Sequence, residues 1–490
     1  MVAGRGAAWH LPPCQAVPMT LDPDASTVRE MATAATEWVA DYLSSVSTMP
    51  VAPANSAADL QAALAAPLPV EGQDFASLLA VFRDVIVPGS RHHAHPRFFG
   101  YVSAPGTAVA AVADFLASAL NANLPAWRSS PAAVEVERLT IDWIRQALGF
   151  PDGTGGLFLS GGSLANLTAL AAARHAAGGG DLRLYASTEA HHSIHKAAAL
   201  LGIGRDSVRE IPVDDHFRMD VASLDRAISV DRAASLTPFC VVATAGTVVT
   251  GAVDPLAQVA EVARRHNLWL HIDGCYGGFA RLASSTSSLL APVCEADSIA
   301  LDPHKWLYLP ADCGCLLYRD PAAVRGAFTL GADYTRVLHT EPDEAFAYWD
   351  YGPELTRRFR ALKVWMTLSH VGTRAIGEAI ESNLDCARYV ASLIDASPDL
   401  ELLAPVELSI FCFRYRPPAM PDGPDLNHLN EQIMLTLQQD GSSYLSNATI
   451  HGNFALRGCV LNYRTTRRDM EILLADVRRA VSEVVRGTSG

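Results

Sequence analysis

From about residue 104 onward, short apolar runs alternate with segments of helical spacing, and this alternation restricts the chain to a narrow set of folds. The apolar runs Gly156–Ser160, Leu182–Ser187, Phe239–Thr244, Leu268–Asp273, Asp297–Leu301 and Gly314–Tyr318 read as strands. Ser163–Ala177 and Leu256–His266 read as helices between them. Buried strands separated by helices predict an α/β fold, a mainly parallel sheet with helices on both faces. Ligands of such folds bind beyond the carboxyl ends of the strands, so chemistry is expected there.

The flanks have other patterns. Thr27–Leu43 has helical spacing with Ser26 or Thr27 as a cap, a proline-rich passage follows (Pro50, Pro53, Pro67, Pro69), and Phe75–Ile86 is helical again. Past about residue 375, helices near Glu378–Asp395 and Asn427–Gln439, strands Glu407–Tyr415 and Phe454–Asn462 and a closing helix Thr466–Val485 suggest a small α+β unit. The expected organisation is a disordered leader at 1–24, with Met19 an alternative start, a helical arm at 25–103, a large domain at 104–375 and a small C-terminal domain at 376–490. A length of 490 residues fits two or three such units.

Hydrophobic residues at 49% and charged residues at 18% allow a large core. The net charge of −14 disfavours nucleic acid or an anionic membrane as partner. No apolar run reaches the ~18–20 residues of a membrane helix, and the N-terminus lacks the apolar core of a signal peptide. Nine scattered cysteines, with Cys313 and Cys315 the one close pair, read as free thiols in a reducing cytoplasm, not as a zinc site. The histidines His92, His93 and His95 lack a second ligand group, so no metal is expected.

Three segments carry the chemistry. In Asp302-Pro303-His304-Lys305-Trp306, a lysine directly follows a buried strand. Desolvation there lowers an amine's pKa, and a neutral amine forms an imine with an aldehyde cofactor; a lysine snorkelling from a strand end fits the residues equally well. Asp273 ends an apolar strand before a glycine turn, a position suited to a cationic ring nitrogen, a metal or a helix cap. Ser160-Gly161-Gly162-Ser163 joins a strand to a helix and suits a phosphate, though it is neither a Rossmann nor a P-loop fingerprint.

Together these segments resemble the group II pyridoxal-phosphate decarboxylases, the fold-type-I family that includes aromatic L-amino-acid decarboxylase, from about residue 90 to 370. The resemblance implies pyridoxal 5'-phosphate as cofactor, Lys305 as its Schiff-base lysine and Asp273 as partner of the ring nitrogen. His191, in Ser187-x-x-x-His191-x-Ser193, takes the stacking role. Gly162 and Ser163 fall to the phosphate, and Thr247, in Ala243-Thr244-Ala245-Gly246-Thr247, and His304 also fall to the cofactor. His95, in His95-Pro96-Arg97-Phe98-Phe99, and Trp127, in the block ending Ser130-Pro131, are implied at the substrate, with Val102 in the side-chain pocket. The family's loop tyrosine, which returns a proton in place of the carboxylate, falls on Tyr348 when counted without gaps from Arg357-Arg358-Phe359. Tyr334 and Tyr351 compete if the register slips within a loop of roughly 331–351.

A tyrosine in that role favours decarboxylation, since related aldehyde synthases carry phenylalanine there. Cys275 and Val102-Ser103-Ala104 depart from the animal aromatic enzymes, and the second departure bears on the substrate. The reading is therefore decarboxylation of an L-amino acid, by family frequency an aromatic one, to the primary amine and carbon dioxide. An aliphatic, acidic or diamino acid substrate and an aldehyde synthase are the alternatives. The family also implies a homodimer with active sites at the subunit interface.

Overall fold

A computed structural model describes residues 21–329, 341, 343–418 and 420–487. The chain opens with helices α1 (Ala25–Ser45), α2 (Ala57–Leu64) and α3 (Phe75–Val81), followed by α4 (Ala108–Leu120) and α5 (Pro131–Leu148). The central region runs β1 (Gly155–Leu159), α6 (Gly162–Ala177), β2 (Leu182–Ser187), α7 (Ser193–Leu200), β3 (Val208–Ile211), α8 (Val221–Ala233), β4 (Thr237–Thr244) and α9 (Leu256–Arg265). It continues through β5 (Trp269–Asp273), β6 (Ser298–Leu301), the single turn α10 (Pro303–Trp306), β7 (Gly314–Tyr318) and α11 (Pro321–Phe328). The remainder comprises α12 (Ala361–Asp395), β8 (Leu400–Leu402), β9 (Ile410–Tyr415), α13 (Pro424–Asp440), β10 (Ser446–Ile450), β11 (Asn453–Cys459) and α14 (Arg467–Gly487).

Seven strands form the large sheet in the order β1-β7-β6-β5-β4-β2-β3. Pairings among β2, β3, β4, β5 and β6 are parallel, while β7 is antiparallel to both its neighbours β1 and β6. Thus β1 runs in the same direction as the parallel set, and the carboxyl ends of β1, β2, β4, β5 and β6 share one edge. β7 begins at that edge, where a Cβ on Gly314 would stand 2.6 Å from the Gly161 Cα. The sheet is buried on both faces, which explains its near-continuous apolar strands. On β4, Cys240 and Val242 pack with Leu170, Ala173 and Ile194 of α6 and α7, whereas Val241 and Ala243 pack with Leu224, Ile228 and Val259 of α8 and α9. Each such fully buried Val, Leu or Ile side chain contributes about 1.5–3 kcal/mol.

A second, antiparallel sheet has the order β10-β11-β9-β8 and shares a core with α13, α14 and the latter part of α12. α12 breaks its helical path at Gly372, whose φ of 79° and ψ of 154° lie outside the helical region. The predicted large mainly parallel sheet with a smaller mixed unit is the observed architecture.

One buried ion pair fastens the β1 margin. Glu137 of α5 and Arg357 are 0% and 1% exposed and bond directly. Glu137 also accepts from the Phe158 amide at 3.0 Å, and Arg357 donates to the carbonyls of Leu124 (3.0 Å) and Phe158 (2.9 Å).

Candidate active site

A cavity of about 620 Å3 opens at the shared carboxyl-end edge, lined from the ends of five strands, with His191 following β2, and from the small sheet. β1 delivers Ser160 to Ser163, β4 delivers Thr244 and Gly246, β5 delivers Asp273 and Cys275, and β6 delivers Asp302, His304 and Lys305. Ser446, Asn447, Ala448 and Arg457 close it from the small sheet, with Tyr101 and Val102 beside them.

The local chain paths follow from specific residues. A Cβ at Gly162 would lie 2.3 Å from the Cys275 Sγ and 2.9 Å from the Asp302 Oδ2, so only glycine lets α6 start against β5 and β6. Gly246 turns the chain with φ +98°, a conformation side chains disfavour. α6 begins at Gly162 with no side-chain cap, leaving its N-terminal amides and the Ser163 hydroxyl to face the cavity as an anion site.

Lys305 Nζ is 2.8 Å from Asp302 Oδ2. Burial alone would lower the amine, but the Asp302 carboxylate, helped by Asp273, outweighs it and holds Lys305 above its ordinary value. The expectation that desolvation dominates is thereby corrected: neighbouring anions reverse the sign. Burial also pushes Asp273 up, yet the Cys275 donors, Lys305 and His191 prevail and hold this carboxyl below the usual range, so it stays anionic. His191 is lowered by burial and stays neutral near pH 7. His304 Nδ1–H donates to the Cys313 carbonyl at 2.8 Å. Two buried polar atoms of lining residues, Thr244 Oγ1 and Asp302 Oδ1, have no hydrogen-bond partner among the described residues.

An amine at a strand end, a buried anion, a neutral imidazole and a capless helix start together fit an aldehyde cofactor with a cationic ring and a phosphate. The comparisons decide the matter. The pyridoxal-dependent decarboxylase conserved domain matches residues 58–416. The chain belongs to the pyridoxal-dependent decarboxylase family.

This decarboxylase is 34% identical to an aromatic-L-amino-acid decarboxylase of Bacillus atrophaeus, over 94% of the chain and 96% of the relative. It is 31% identical to a 4-hydroxyphenylacetaldehyde synthase of Rhodiola rosea, over 92% and 94%. The crystal structure of Oryza sativa TDC with PLP and tryptamine superposes with a TM-score of 0.89 at 32% identity, covering 95% and 99% of the two chains. The decarboxylase is a carboxy-lyase that acts on an L-amino acid with pyridoxal 5'-phosphate as cofactor.

Of the residues expected at the site, Lys305, Asp273, His191, Gly162, Ser163, His304 and Val102 all line the decarboxylase cavity. Four do not. Thr247 is fully buried, its hydroxyl 3.0 Å from Thr250 Oγ1 and accepting from the Ala252 amide, because the Gly246 turn points the next side chain inward; Thr244 and Val248 face the cavity instead. His95 is fully buried, its Nδ1 accepting from the Arg97 amide and its carbonyl held by Asn462, and burial pushes its imidazole down to about 4. Trp127 donates its indole N–H to Glu135 at 2.9 Å and pins the start of α5. Tyr348 is 1% exposed, with the Arg357 guanidinium 4.0 Å above its ring and Phe346 edge-on, so it is a packing residue. Tyr351 stacks on Tyr318 and Phe346, also away from the cavity. Tyr334 and most of the 331–351 loop lie outside the described residues, as does most of the 1–24 leader.

The sequence reading missed Asp302, Asn166, Thr244, Tyr101 and Arg457 as lining residues. Among the described residues, no group of three or more His, Cys, Asp or Glu side chains is placed to hold a metal ion.

Proposed function

We propose that the chain converts an aromatic L-amino acid to its primary amine. The observation that carries this reading is the cavity wall formed by Tyr101, Val102, Val248, Val249 and Ala448, in which the guanidinium of Arg457 is already engaged. Arg457 Nε donates to the Val248 and Val249 carbonyls (2.9 and 3.2 Å), Nη1 to the Tyr101 carbonyl and Ser446 Oγ (3.0 and 3.2 Å), and Nη2 again to Val248. The only other Lys or Arg among the described lining residues is Lys305. An acidic substrate side chain would therefore enter an apolar wall without a free cation, at a cost of several kcal/mol. A flat apolar side chain gains from the same surface.

Lys305 holds the cofactor, and Gly162 and Ser163 bind its phosphate. Held by these residues, pyridoxal phosphate would supply the electron sink that loss of the carboxylate as carbon dioxide requires. The anionic Asp273 would keep the cofactor's ring nitrogen protonated, and His191 would supply the face on which the ring rests. The family resemblance gives the proton delivery to Cα to a loop tyrosine, and Tyr334, outside the described residues, would fill that role; Tyr348 and Tyr351 are packed away from the cavity.

The test is product analysis with a panel of L-amino acids: tryptophan, tyrosine, phenylalanine, dopa, glutamate, valine and 2,4-diaminobutyrate. Amine with stoichiometric carbon dioxide from an aromatic member is expected. Amine from glutamate alone overturns the pocket reading, and aldehyde with ammonia and peroxide overturns the reaction type. Tyr334→Phe is expected to cut amine formation by about 10²–10⁴-fold and to release aldehyde. Tyr348→Phe is expected to change the rate by less than about threefold, as a packing substitution.

We also read the assembly as a homodimer with the sites at its interface. Phe115 and Leu120 of α4 are 52% and 65% exposed beside exposed Val112 and Leu116, and α1, which packs Trp38 and Tyr42 on Phe82 and His92, has no fully buried residue. A second copy covering both is the economical explanation of such a stripe. Light scattering is expected to give twice the 52.4 kDa chain mass, and Phe115→Asp with Leu120→Asp a monomer without activity. A wild-type monomer retaining activity refutes the arrangement. Eight free cysteines among the described residues favour a cytoplasmic location.

A further inference from the structure

Beneath the cavity floor a chain of buried polar groups runs from β5 and β6 into α6 and α7, and its hydrogen bonds permit a single arrangement of protons. At one end the Trp269 indole, which can only donate, lies 2.8 Å from Ser298 Oγ. Ser298 Oγ is 2.9 Å from His271 Nδ1, and His271 Nε2 is 2.9 Å from Asn166 Oδ1. At the other end Asn166 Nδ2 reaches Asp273 Oδ2 at 3.0 Å and Ser193 Oγ at 2.9 Å, and Ser193 Oγ is 2.7 Å from His191 Nδ1.

The direction follows from both ends. The Asp273 carboxylate only accepts, so the amide nitrogen of Asn166 faces it and the amide oxygen faces His271. His271 must then carry its proton on Nε2 and accept at Nδ1 from the Ser298 hydroxyl. Ser298, having given its proton, accepts from Trp269, which is the one thing an indole N–H offers. The second N–H of Asn166 engages Ser193 Oγ, leaving the Ser193 hydroxyl to donate to His191 Nδ1, where the Ser193 amide also points at 3.2 Å. His191 therefore keeps its proton on Nε2. Asn166, His271 and Ser298 are at most 1% exposed, so no solvent competes for these bonds. Burial pushes the His271 imidazole down to about 4 and keeps it neutral at working pH.

We propose that Asn166 and His271 are positioning residues of the cofactor site, a one-way hydrogen-bond array that fixes the orientation of the Asp273 carboxylate and the tautomer of His191 together. The proposal rests on the roles given above to Asp273 and His191. It adds that one amide side chain couples the two. Replacing Asn166 by an apolar residue removes the donor to Asp273 Oδ2, leaving the carboxylate tethered through Oδ1 to the Cys275 amide at 3.2 Å, and leaves His271 with a buried donor and no acceptor. Replacing it by a second carboxyl sets two carboxylates against each other, one of which must take up a proton. Once protonated, the introduced carboxyl can donate to Asp273 as the amide did.

The test uses the holoenzyme and the resolved apoprotein with free pyridoxal phosphate as probe. In [15N]histidine-labelled wild-type protein, His271 is expected to be neutral and protonated on Nε2 from pH 6 to 8; protonation on Nδ1 overturns the array. Asn166→Leu is expected to lower kcat by about 10–100-fold with KM nearly unchanged, the size typical of lost outer-shell partners, and to weaken pyridoxal phosphate binding to the apoprotein. Asn166→Asp is expected to be poorer still at pH 8 and to recover about tenfold relative to wild type by pH 6, in both kcat and cofactor affinity. Asn166→Leu is expected to show no such recovery. His271→Gln, which offers an N–H near the Nε2 position, is expected to retain most of the activity that His271→Leu loses. If Asn166→Leu lowers only the melting temperature, leaving kcat and cofactor affinity intact, the array is structural and the proposal fails. If Asp273→Asn is also silent in both readouts, the site reading itself has failed.

Discussion

Lys305→Ala is expected to abolish turnover, by at least about 10⁴-fold in kcat, and to leave pyridoxal phosphate removable by dialysis. The prediction follows from the position of Nζ at the carboxyl end of β6, inside the cavity and 2.8 Å from Asp302. Lys305→Arg is not expected to rescue activity, because a guanidinium stays protonated and cannot attack an aldehyde. Removing the lysine also strands the buried Asp302 carboxylate, so lost activity must be separated from lost folding. Lys305→Gln serves that purpose, since its amide can still donate to Asp302. The measurements are amine release, retention of the cofactor's visible absorption after dialysis, and far-ultraviolet circular dichroism. Turnover within tenfold of wild type with a folded Lys305→Gln protein would falsify the assignment.

The largest stability effect is expected at Glu137. Glu137→Leu leaves the Arg357 guanidinium buried without its counter-charge, at a cost of about 3–5 kcal/mol. The same pair orders the Leu124 and Phe158 carbonyls and the Tyr348 ring, so α5, β1 and the approach to α12 loosen together. Glu137→Leu combined with Arg357→Met is expected to regain only part of the loss: no charge stays buried, but the Phe158 amide and the Leu124 and Phe158 carbonyls lose these partners. Urea unfolding of the single and double variants measures both numbers. A single variant within about 1 kcal/mol of wild type contradicts the account.

Residues buried on two faces of the sheet left a plain trace in the sequence. The bounds read from the sequence for Leu182–Ser187 and Gly314–Tyr318 coincide with β2 and β7, since their apolar runs are broken only by Arg183, which turns its charge to Asp181 at the strand's start. β3 escaped notice: Val208-Arg209-Glu210-Ile211 is a short edge strand whose middle residues reach outward. The first half of α12 was equally hidden, because Lys363, 1% exposed and bonded to Asp114 and the Pro310 carbonyl, reads as a surface charge.

At the site, side chains at strand ends were legible because the chain path puts them there. Thr247 was misplaced because a sequence does not show that Gly246 turns the backbone between it and β4. Tyr348 was misplaced because counting from Arg357 assumes a loop length that only structure can check. His271 had a usable signal, since it lies two residues before Asp273 and hence on the same face of β5. Asn166 lies one helical turn beyond Gly162, a spacing that also pointed to it. Arg457 had none, for it reaches the cavity from a sheet formed more than 100 residues later in the chain.

The placement of β1 sets an order on the assembly of the molecule. β1 pairs with β7 alone, and β7 ends at Tyr318, so the strand leading into the phosphate turn has no partner until some 160 further residues have been made. A nascent chain that has synthesised only Gly162, Ser163 and His191 holds half a binding site on an unanchored ribbon. Such long-range closure is slow, and it leaves an apolar strand exposed to aggregation in the meantime. Cofactor capture is therefore a late event, and the visible colour of the bound cofactor serves as a report that the sheet has closed. Supplying pyridoxine during expression is expected to raise the yield of soluble protein by trapping chains at that final step.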